Sequence, residues 1–118
     1  MIKVNGLESF KRLINENDVV LVDFTSKYCG PCRLQERELK ILEQHFGNKI
    51  LIISVDINEN LNLATKYGIN ATPTLMFFKK GKKVRFKSRT KGRIDRFIGL
   101  QNANRLIGPI NYLLNLKK

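Results

Sequence analysis

Cys29 and Cys32 are the only two cysteines of this 118-residue chain, and Gly30 and Pro31 separate them. Two thiols at this spacing can open and close a disulfide bond without moving the backbone. An apolar run precedes the pair and an amphipathic segment follows it, so we expect a turn between a strand and the first turn of a helix. The motif therefore predicts reversible thiol–disulfide chemistry.

A position at a helix start would make Cys29 reactive. The first N–H groups of a helix lack partners and carry about half a positive charge, and both features stabilise an anion. We expect the Cys29 thiol to ionise more easily than a free thiol, and the thiolate is the form that attacks disulfides. Pro31 suits the first helical turn because a residue there needs no N–H and proline already holds the required φ.

A zinc site, a structural disulfide and incidental free thiols all account less well for the two cysteines. A closed zinc site needs four ligands, and the chain adds only His45 to the cysteine pair. A structural disulfide would close a loop of only four residues, which contributes about 2 kcal/mol, less than a longer loop would. Incidental free cysteines would leave the intervening Gly-Pro without a role. Redox use is the favoured interpretation, and no metal or other cofactor is expected.

Length and hydropathy indicate one domain. A chain of 118 residues can bury a single core and needs no disulfide to fold, so we expect one domain over residues 1–118. No apolar run approaches the length of a membrane span, and the N-terminal residues lack the long apolar stretch of a secretory signal. The expected protein is a monomer of the reducing cytoplasm, without membrane contact.

Hydrophobic periodicity predicts alternating helices and strands. The predicted elements are a helix that begins at a capping pair of Asn5 and Glu8 and ends near Asn17, a strand over 19–24, a helix from about Pro31 to Phe46 with Gly47 as C-cap, a strand over 50–56, a short helix over 61–67, a strand over 74–79 and a last helix around 106–114. Pro109 is expected to kink the last helix or to mark its start near Gly108. The alternation indicates an α/β sheet.

Asp23 is the single polar residue of the apolar run 19–24. A strand that is apolar on both faces is typical of the centre of a sheet covered by helices on each side. Burial there would favour the neutral carboxyl and allow proton exchange near neutral pH. The alternative is a buried, fully hydrogen-bonded aspartate with a structural role only.

Six short motifs follow one another along residues 1–81. They are Val22-Asp23-Phe24, Tyr28-Cys29-Gly30-Pro31-Cys32, Val55-Asp56-Ile57-Asn58, Tyr67-Gly68-Ile69, Thr72-Pro73-Thr74 and Phe78-Lys79-Lys80-Gly81-Lys82. In these motifs the chain resembles the thioredoxin family, and Cys-Gly-Pro-Cys is the most specific of them. The resemblance implies the thioredoxin fold, a central mixed β-sheet of four to five strands flanked by about four helices. It also implies a cis peptide bond between Thr72 and Pro73.

The resemblance further implies an activity, a protein-disulfide reductase that receives electrons from a partner like thioredoxin reductase. Cys29 would be the exposed nucleophile that forms a mixed disulfide with a disulfide-containing protein, and Cys32 would resolve it. Asp23 would be the buried carboxylate below the resolving thiol.

Five further residues would contact or shape the substrate, on the same resemblance. Gly30 and Pro31 would hold the turn, and Tyr28 would occupy the aromatic position beside the nucleophile. Thr72 and Pro73 would line the groove where the substrate backbone docks.

The chain departs from the family at two of its positions. Tyr28 stands where the family commonly has tryptophan, and both provide a flat apolar wall. Ser54 stands where many members have a lysine, so Asp23 lacks a cation that would favour its charged form. The Gly-Pro between the cysteines contains no histidine, which in family terms favours a reductant over an oxidase or isomerase.

Basic residues are concentrated in one segment. The net charge is +12, and ten of the 22 Lys and Arg residues lie between Lys79 and Arg96, where Asp95 is the only acid. Relative to the family, residues 82–91 are an insertion between the last two strands. Arg85, Lys87, Arg89 and Lys91 alternate with other residues, so an extended hairpin would carry these cations on one side, with Gly92 closing its tip.

Two interpretations of this segment remain open. The hairpin can serve to blunt edge pairing and aid solubility, or it can dock an acidic protein or a nucleic acid. The second interpretation leads to an alternative function, a thioredoxin-scaffold binding module in which segment 79–96 binds the partner and the thiols are secondary.

Overall fold

Helices and strands alternate along the first two thirds of the chain, as the periodicity predicts. The computed structural model describes residues 1–117. Its elements are β1 (Ile2–Lys3), α1 (Leu7–Glu16), β2 (Val19–Thr25), α2 (Gly30–Phe46), a 3₁₀ turn (Gly47–Lys49), β3 (Leu51–Asp56), α3 (Leu61–Lys66), β4 (Thr74–Lys79), β5 (Lys82–Lys83), β6 (Phe86–Ser88), β7 (Gly92–Ile94), β8 (Phe97–Ile98) and α4 (Ala103–Asn115).

The main sheet is mixed, with strand order β1-β3-β2-β4-β5, and β8 also pairs with β4. Strand β3 is parallel to β1 and β2. Strand β4 is antiparallel to β2, β5 and β8. The mixed sheet flanked by four helices confirms the fold class, and three of its six strands are only two residues long.

Strand β2 is buried on both faces because its side chains alternate between two apolar clusters. Val19 and Leu21 pack in the cluster covered by α2 and α4. The even-numbered residues of 20–24 pack in the cluster covered by α1 and α3. Asp23 has the same parity as Val19 and Leu21, so its carboxyl lies on the face covered by α2, the helix that carries Cys32.

The capping residues predicted for α1 and α2 differ in how well they agree with the structure. The capping pair of Asn5 and Glu8 is wrong, because the N-cap of α1 is Gly6 and no side chain caps it. Gly6 has a φ of 92°, a conformation that favours glycine, and its N–H donates to Asn60 Oδ1 over 2.8 Å. The C-cap of α2 is Gly47 as predicted, with a φ of 57° and its N–H bonded to the Glu43 carbonyl.

Helix α4 does not begin near Gly108. It begins at Ala103 and continues through Pro109. Asn102 caps it by accepting a hydrogen bond from the Arg105 N–H over 3.1 Å. Pro109 removes one intrahelical donor, but the apolar face of the helix stays buried in the core, and tertiary packing of such a face supplies most helical stability.

Strands β6 and β7 form a separate antiparallel hairpin, called the basic hairpin below (residues 86–94). Phe86 lies opposite Ile94, and Lys87 lies opposite Arg93. The Phe86 ring packs against Phe77, with 5.7 Å between ring centroids, whereas Lys87 and Arg93 are exposed. Residues 89–91 form the turn at the tip, and Gly92 follows this turn instead of closing it.

Candidate active site

The two cysteines lie at the start of α2, immediately after the loop that follows β2. They form a disulfide with 5.3 Å between their Cα atoms. Cys29 is the N-cap residue, and its Sγ accepts a hydrogen bond from the Cys32 N–H over 3.2 Å. Pro31 occupies the first turn, where its missing N–H costs nothing. The helix start thus points an N–H at the Cys29 sulfur, the arrangement that stabilises a thiolate.

Cys29 is half-buried and Cys32 is buried. This difference in access follows from the helix geometry, since Cys29 precedes the helix and Cys32 is turned towards the sheet. Cys29 is therefore the more accessible of the two sulfurs, which is consistent with the attacking role that the family resemblance implies.

The segment before β4 approaches the cysteine pair from the other side. Cys29 Sγ lies 3.3 Å from the Thr72 carbonyl oxygen, although the two residues are 43 positions apart. The Thr72–Pro73 peptide bond is cis, as the resemblance implies. The Thr74 hydroxyl donates to the Ala71 carbonyl over 2.7 Å and so closes this turn. A substrate chain bound at Cys29 would lie against Thr72 and Pro73.

Tyr28, Gly30 and Pro31 surround Cys29 on the solvent side. All three are exposed, and the Tyr28 side chain is 93% exposed. Tyr28 and Gly30 line a shallow cavity with Cys29 itself. An exposed aromatic ring next to a reactive sulfur offers an apolar contact to a bound protein.

Asp23 is 2% exposed, and its Oδ1 has no hydrogen-bond partner among the described residues. Burial raises the pKa of Asp23 to about 7, and the negative charge of Glu36 adds to the rise. A buried carboxyl with a pKa raised to about 7 is consistent with the proton exchange near neutral pH that the sequence predicts.

A cavity of about 370 Å³ opens beside the buried cysteine. Cys32, Glu36 and Ser54 are among its lining residues. Ser54 is the β3 residue that pairs with Asp23 on β2, so a small neutral side chain lies at the position where the family resemblance implies a lysine.

Sequence reasoning missed Gln35, which is fully buried in α2. Its side chain makes two hydrogen bonds to the backbone of Gln101. The signal that could have found it is its position on the helix, because Gln35 precedes Leu39 and Leu42 at the spacing of the buried stripe. A glutamine on that stripe must satisfy its polar atoms inside the protein.

Residues 1–117 offer neither a metal site nor a membrane-spanning helix. No group of three or more His, Cys, Asp or Glu side chains is arranged there to hold a metal ion. Within the same residues, no helix combines the length and the apolar character needed to cross a membrane.

The proteins that are similar in sequence to this chain agree with this geometry. The thioredoxin family model matches residues 1–99. The thioredoxin of Rickettsia felis is 36% identical over 104 residues, which cover 87% of this chain and 90% of the relative. Thioredoxin 1 of Nostoc sp. is 43% identical over 77 residues, which cover 64% of this chain and 72% of the relative.

Solved structures give the same result. A mutant thioredoxin from Halobacterium salinarum has a TM-score of 0.81 and 28% identity, and the match covers 99% of this chain and 93% of that one. The thioredoxin of Fasciola hepatica has a TM-score of 0.77 and 31% identity, with 95% of this chain and 98% of that one covered.

Proposed function

This chain belongs to the thioredoxin family and is a thiol–disulfide oxidoreductase, and from that premise we propose that it acts as a reductant of protein disulfides through Cys29 and Cys32. Disulfide-containing proteins are its substrates, and a reductase partner renews its dithiol. The electron donor that we propose resembles thioredoxin reductase.

The proposed cycle begins with the reduced protein, in which the Cys29 thiolate attacks one sulfur of a substrate disulfide. The substrate S–S bond breaks, a mixed disulfide forms with Cys29, and the second substrate sulfur leaves as a thiolate that takes up a proton. The Cys32 thiol then loses its proton and attacks the Cys29 sulfur, which releases the first substrate sulfur. Two electrons pass to the substrate, and the protein is left with the Cys29–Cys32 disulfide.

The position of Cys29 at the N-terminus of α2 is the observation that carries this proposal. Its sulfur accepts the Cys32 N–H over 3.2 Å, and the helix start favours negative charge there. Both features lower the free energy of the thiolate relative to the thiol, so Cys29 is the better attacking group. The buried position of Cys32 suits a thiol that reacts only with the neighbouring sulfur.

Asp23 is proposed as the group that accepts the proton from Cys32 in the second step. Its raised pKa of about 7 allows it to take up and release a proton at the pH of a cell. Ser54 supplies no positive charge that would hold this carboxyl ionised. Cys32 and Ser54, the residue that pairs with Asp23, line the 370 Å³ cavity, which supports proton exchange in this part of the site.

Substrate contact is assigned to the five residues around Cys29. Tyr28 would pack on the substrate, and Gly30 and Pro31 would hold the turn. Thr72 and Pro73 would bind the substrate backbone, which is supported by the 3.3 Å approach of the Thr72 oxygen to the Cys29 sulfur.

We further propose that the protein works as a monomer with one domain over residues 1–118, in the cytoplasm. A reductant needs a compartment in which its own disulfide is reduced again, and the cytosol is such a compartment. The two apolar clusters share one sheet, which supports a single folding unit.

Insulin reduction with dithiothreitol as electron source tests the proposal. Cys29→Ser should abolish the acceleration over dithiothreitol alone, because the attacking sulfur is gone. Cys32→Ser is the matched variant, since the same atom is replaced three positions away. It should form the mixed disulfide but not release it, so a covalent adduct with insulin chains should appear on a non-reducing gel.

Two results would contradict these roles. Activity that survives Cys29→Ser would favour the alternative, a thioredoxin-scaffold binding module whose segment 79–96 docks a partner while the thiols are secondary. An adduct that forms with Cys29→Ser and not with Cys32→Ser would show that Cys32 attacks the substrate and Cys29 resolves the mixed disulfide.

A further inference from the structure

A second cavity lies between the basic hairpin and the start of α4. Its volume is about 730 Å³. Six basic side chains line it, namely Arg85, Lys87, Lys91, Arg93, Arg96 and Arg105. Asp95 is the only acidic residue in the lining, and it is already engaged by Lys83 and Arg96. We call this cavity the basic cleft.

Most of the positive charge in the basic cleft is not neutralised by the protein. Of the six cations, only Arg96 has an acidic partner within 4 Å among residues 1–117. Lys87 and Arg93 even lie directly opposite each other across the hairpin, a like-charge pair that destabilises a two-stranded sheet. An anionic partner placed between the two cations would offset this repulsion, whereas a merely solubilising edge leaves it in place.

One edge of the basic cleft is connected to the active site through backbone pairing at the sheet edge. Ile98 lines the cleft, is 63% exposed, and pairs with Thr74 at the start of β4. The next residue, Gly99, donates its N–H to the Pro73 carbonyl over 2.9 Å. The residue next to the cleft lining is therefore hydrogen-bonded to the turn that approaches the Cys29 sulfur.

We propose that the basic cleft docks an acidic segment next to the disulfide of a substrate protein, so that the enzyme prefers acidic substrates. This inference rests on the proposed reductase function, because the substrate must present its disulfide to Cys29 at the same time. Charge complementarity at the cleft would act by steering encounter and slowing dissociation.

A protein segment fits the basic cleft better than a nucleic acid does. Proteins that bind single-stranded nucleic acid usually offer aromatic faces for the bases. Phe97 is the one aromatic residue in the lining, and its ring is packed against Phe86 and Phe77 at centroid distances of 5.6 and 6.2 Å. The bond from Gly99 to Pro73 also joins the cleft to a site for disulfides, which nucleic acids do not contain.

Three synthetic peptides with the same intramolecular disulfide test the proposal. One has a flank of Asp and Glu, one a flank of Ser and Gln, and one a flank of Lys. The kcat/KM for each peptide is measured with dithiothreitol as the electron source. At low ionic strength we expect the wild-type ratio of acidic to neutral peptide to be about 10, within the range of electrostatic steering. Added salt should reduce this ratio, because it screens the exposed charges.

Charge-reversal variants identify the surface that causes the preference for acidic peptides. Lys87→Glu/Arg93→Glu should bring the ratio to about 1, since the reversal removes most of the net positive charge of the cleft lining. Lys11→Glu/Lys49→Glu is the matched control. It changes the net charge by the same amount at exposed sites on α1 and on the 3₁₀ turn, so it should keep most of the wild-type ratio. Lys87→Gln/Arg93→Gln, which removes the charges without reversing them, should give an intermediate ratio.

The outcomes separate failure of the docking proposal from failure of the reductase function. If the wild-type protein reduces the three peptides equally, or if both reversal variants lose the preference equally, docking at the basic cleft is overturned. If the wild-type protein reduces none of them, the proposed function itself fails. A single-stranded oligothymidylate that inhibits reduction of the acidic peptide more strongly than a poly-glutamate of equal charge would replace the protein partner with a nucleic acid.

Discussion

The side chain of Gln35 is bonded twice to the backbone of Gln101. Its Nε2 donates to the Gln101 carbonyl over 2.9 Å, and its Oε1 accepts from the Gln101 N–H over 2.8 Å. Gln35 lies one turn after Cys32 in α2, and Gln101 lies between β8 and α4. The helix that carries the cysteines is thus tied to the segment that joins the sheet edge to the last helix.

Loss of this contact should destabilise the fold. Gln35→Ala leaves the N–H and carbonyl of Gln101 without their partners and opens a buried space, so we expect the free energy of unfolding to fall by about 3 kcal/mol. Urea denaturation of the oxidised protein measures the change. Gln44→Ala, at an exposed position of the same helix, should change it by less than about 0.5 kcal/mol. Equal effects of the two substitutions would contradict the structural role of Gln35.

The buried carboxyl of Asp23 should make the protein less stable as the pH rises. The pKa of Asp23 is about 7 in the folded protein and 3.8 when unperturbed, so between these values the unfolded chain releases a proton that the folded chain keeps. Stability therefore falls between about pH 4 and pH 7 and levels off above. At about 1.4 kcal/mol for each pH unit, the full loss is on the order of 4 kcal/mol.

Asp23→Asn should remove this loss. The variant should be more stable than the wild-type protein at about pH 8 and similar to it below about pH 4, as measured by urea denaturation across the pH range. Asp56→Asn is the control, because Asp56 is also buried but accepts hydrogen bonds from the backbone N–H groups of Asn58 and Glu59. A stabilisation by Asp56→Asn equal to that of Asp23→Asn would show that burial of Asp23 is not the cause.

Asp95 should hold the basic hairpin to the sheet edge. The hydrogen bond from Arg96 and the nearby Lys83 keep the pKa of Asp95 well below its usual range. The stability that the Asp95 carboxylate contributes is therefore fully present above about pH 4. It is lost only as the pH falls through the lowered pKa of Asp95 in the folded protein. Asp95→Asn should cost about 1 kcal/mol, the upper range for a partly exposed ion pair.

Amide hydrogen exchange of residues 86–94 is the measurement for Asp95→Asn. Exchange there should become faster, while exchange in β2 should not change. Glu16→Gln, which removes an exposed charge paired with Arg12 at 3.9 Å, should leave the hairpin unaffected. Unchanged exchange in the Asp95 variant would refute the anchoring role.

Tyr28 should contribute to substrate binding and not to stability. Because its side chain is 93% exposed, Tyr28→Ala should leave the melting temperature within about 1 °C of wild type. Loss of the ring as a contact surface should raise KM for insulin about fivefold, with a smaller change in kcat. Tyr112→Ala removes another exposed tyrosine, on α4, and should leave KM unchanged. A similar KM for the two variants would refute substrate contact at Tyr28.

Local patterns in the sequence were sufficient for much of the fold and for the reactive pair. The run from Val19 to Phe24 predicted a strand buried on both faces, and its side chains do alternate between two clusters. The amphipathic segment after Cys32 predicted α2, and Gly47 marked its end. These features depend on periodicity and on chain geometry within a few residues, which the order of amino acids records directly.

Contacts between distant segments were decided only by the tertiary structure. The approach of Thr72 to Cys29 spans 43 residues, and the bond between Gln35 and Gln101 spans 66. The start of α4 at Ala103 despite Pro109, and the pairing of β8 with β4 beside the basic cleft, likewise depend on which surfaces the sheet buries. Such pairings are set by strand order and by packing of the whole core. Patterns among neighbouring residues in the sequence therefore do not predict them.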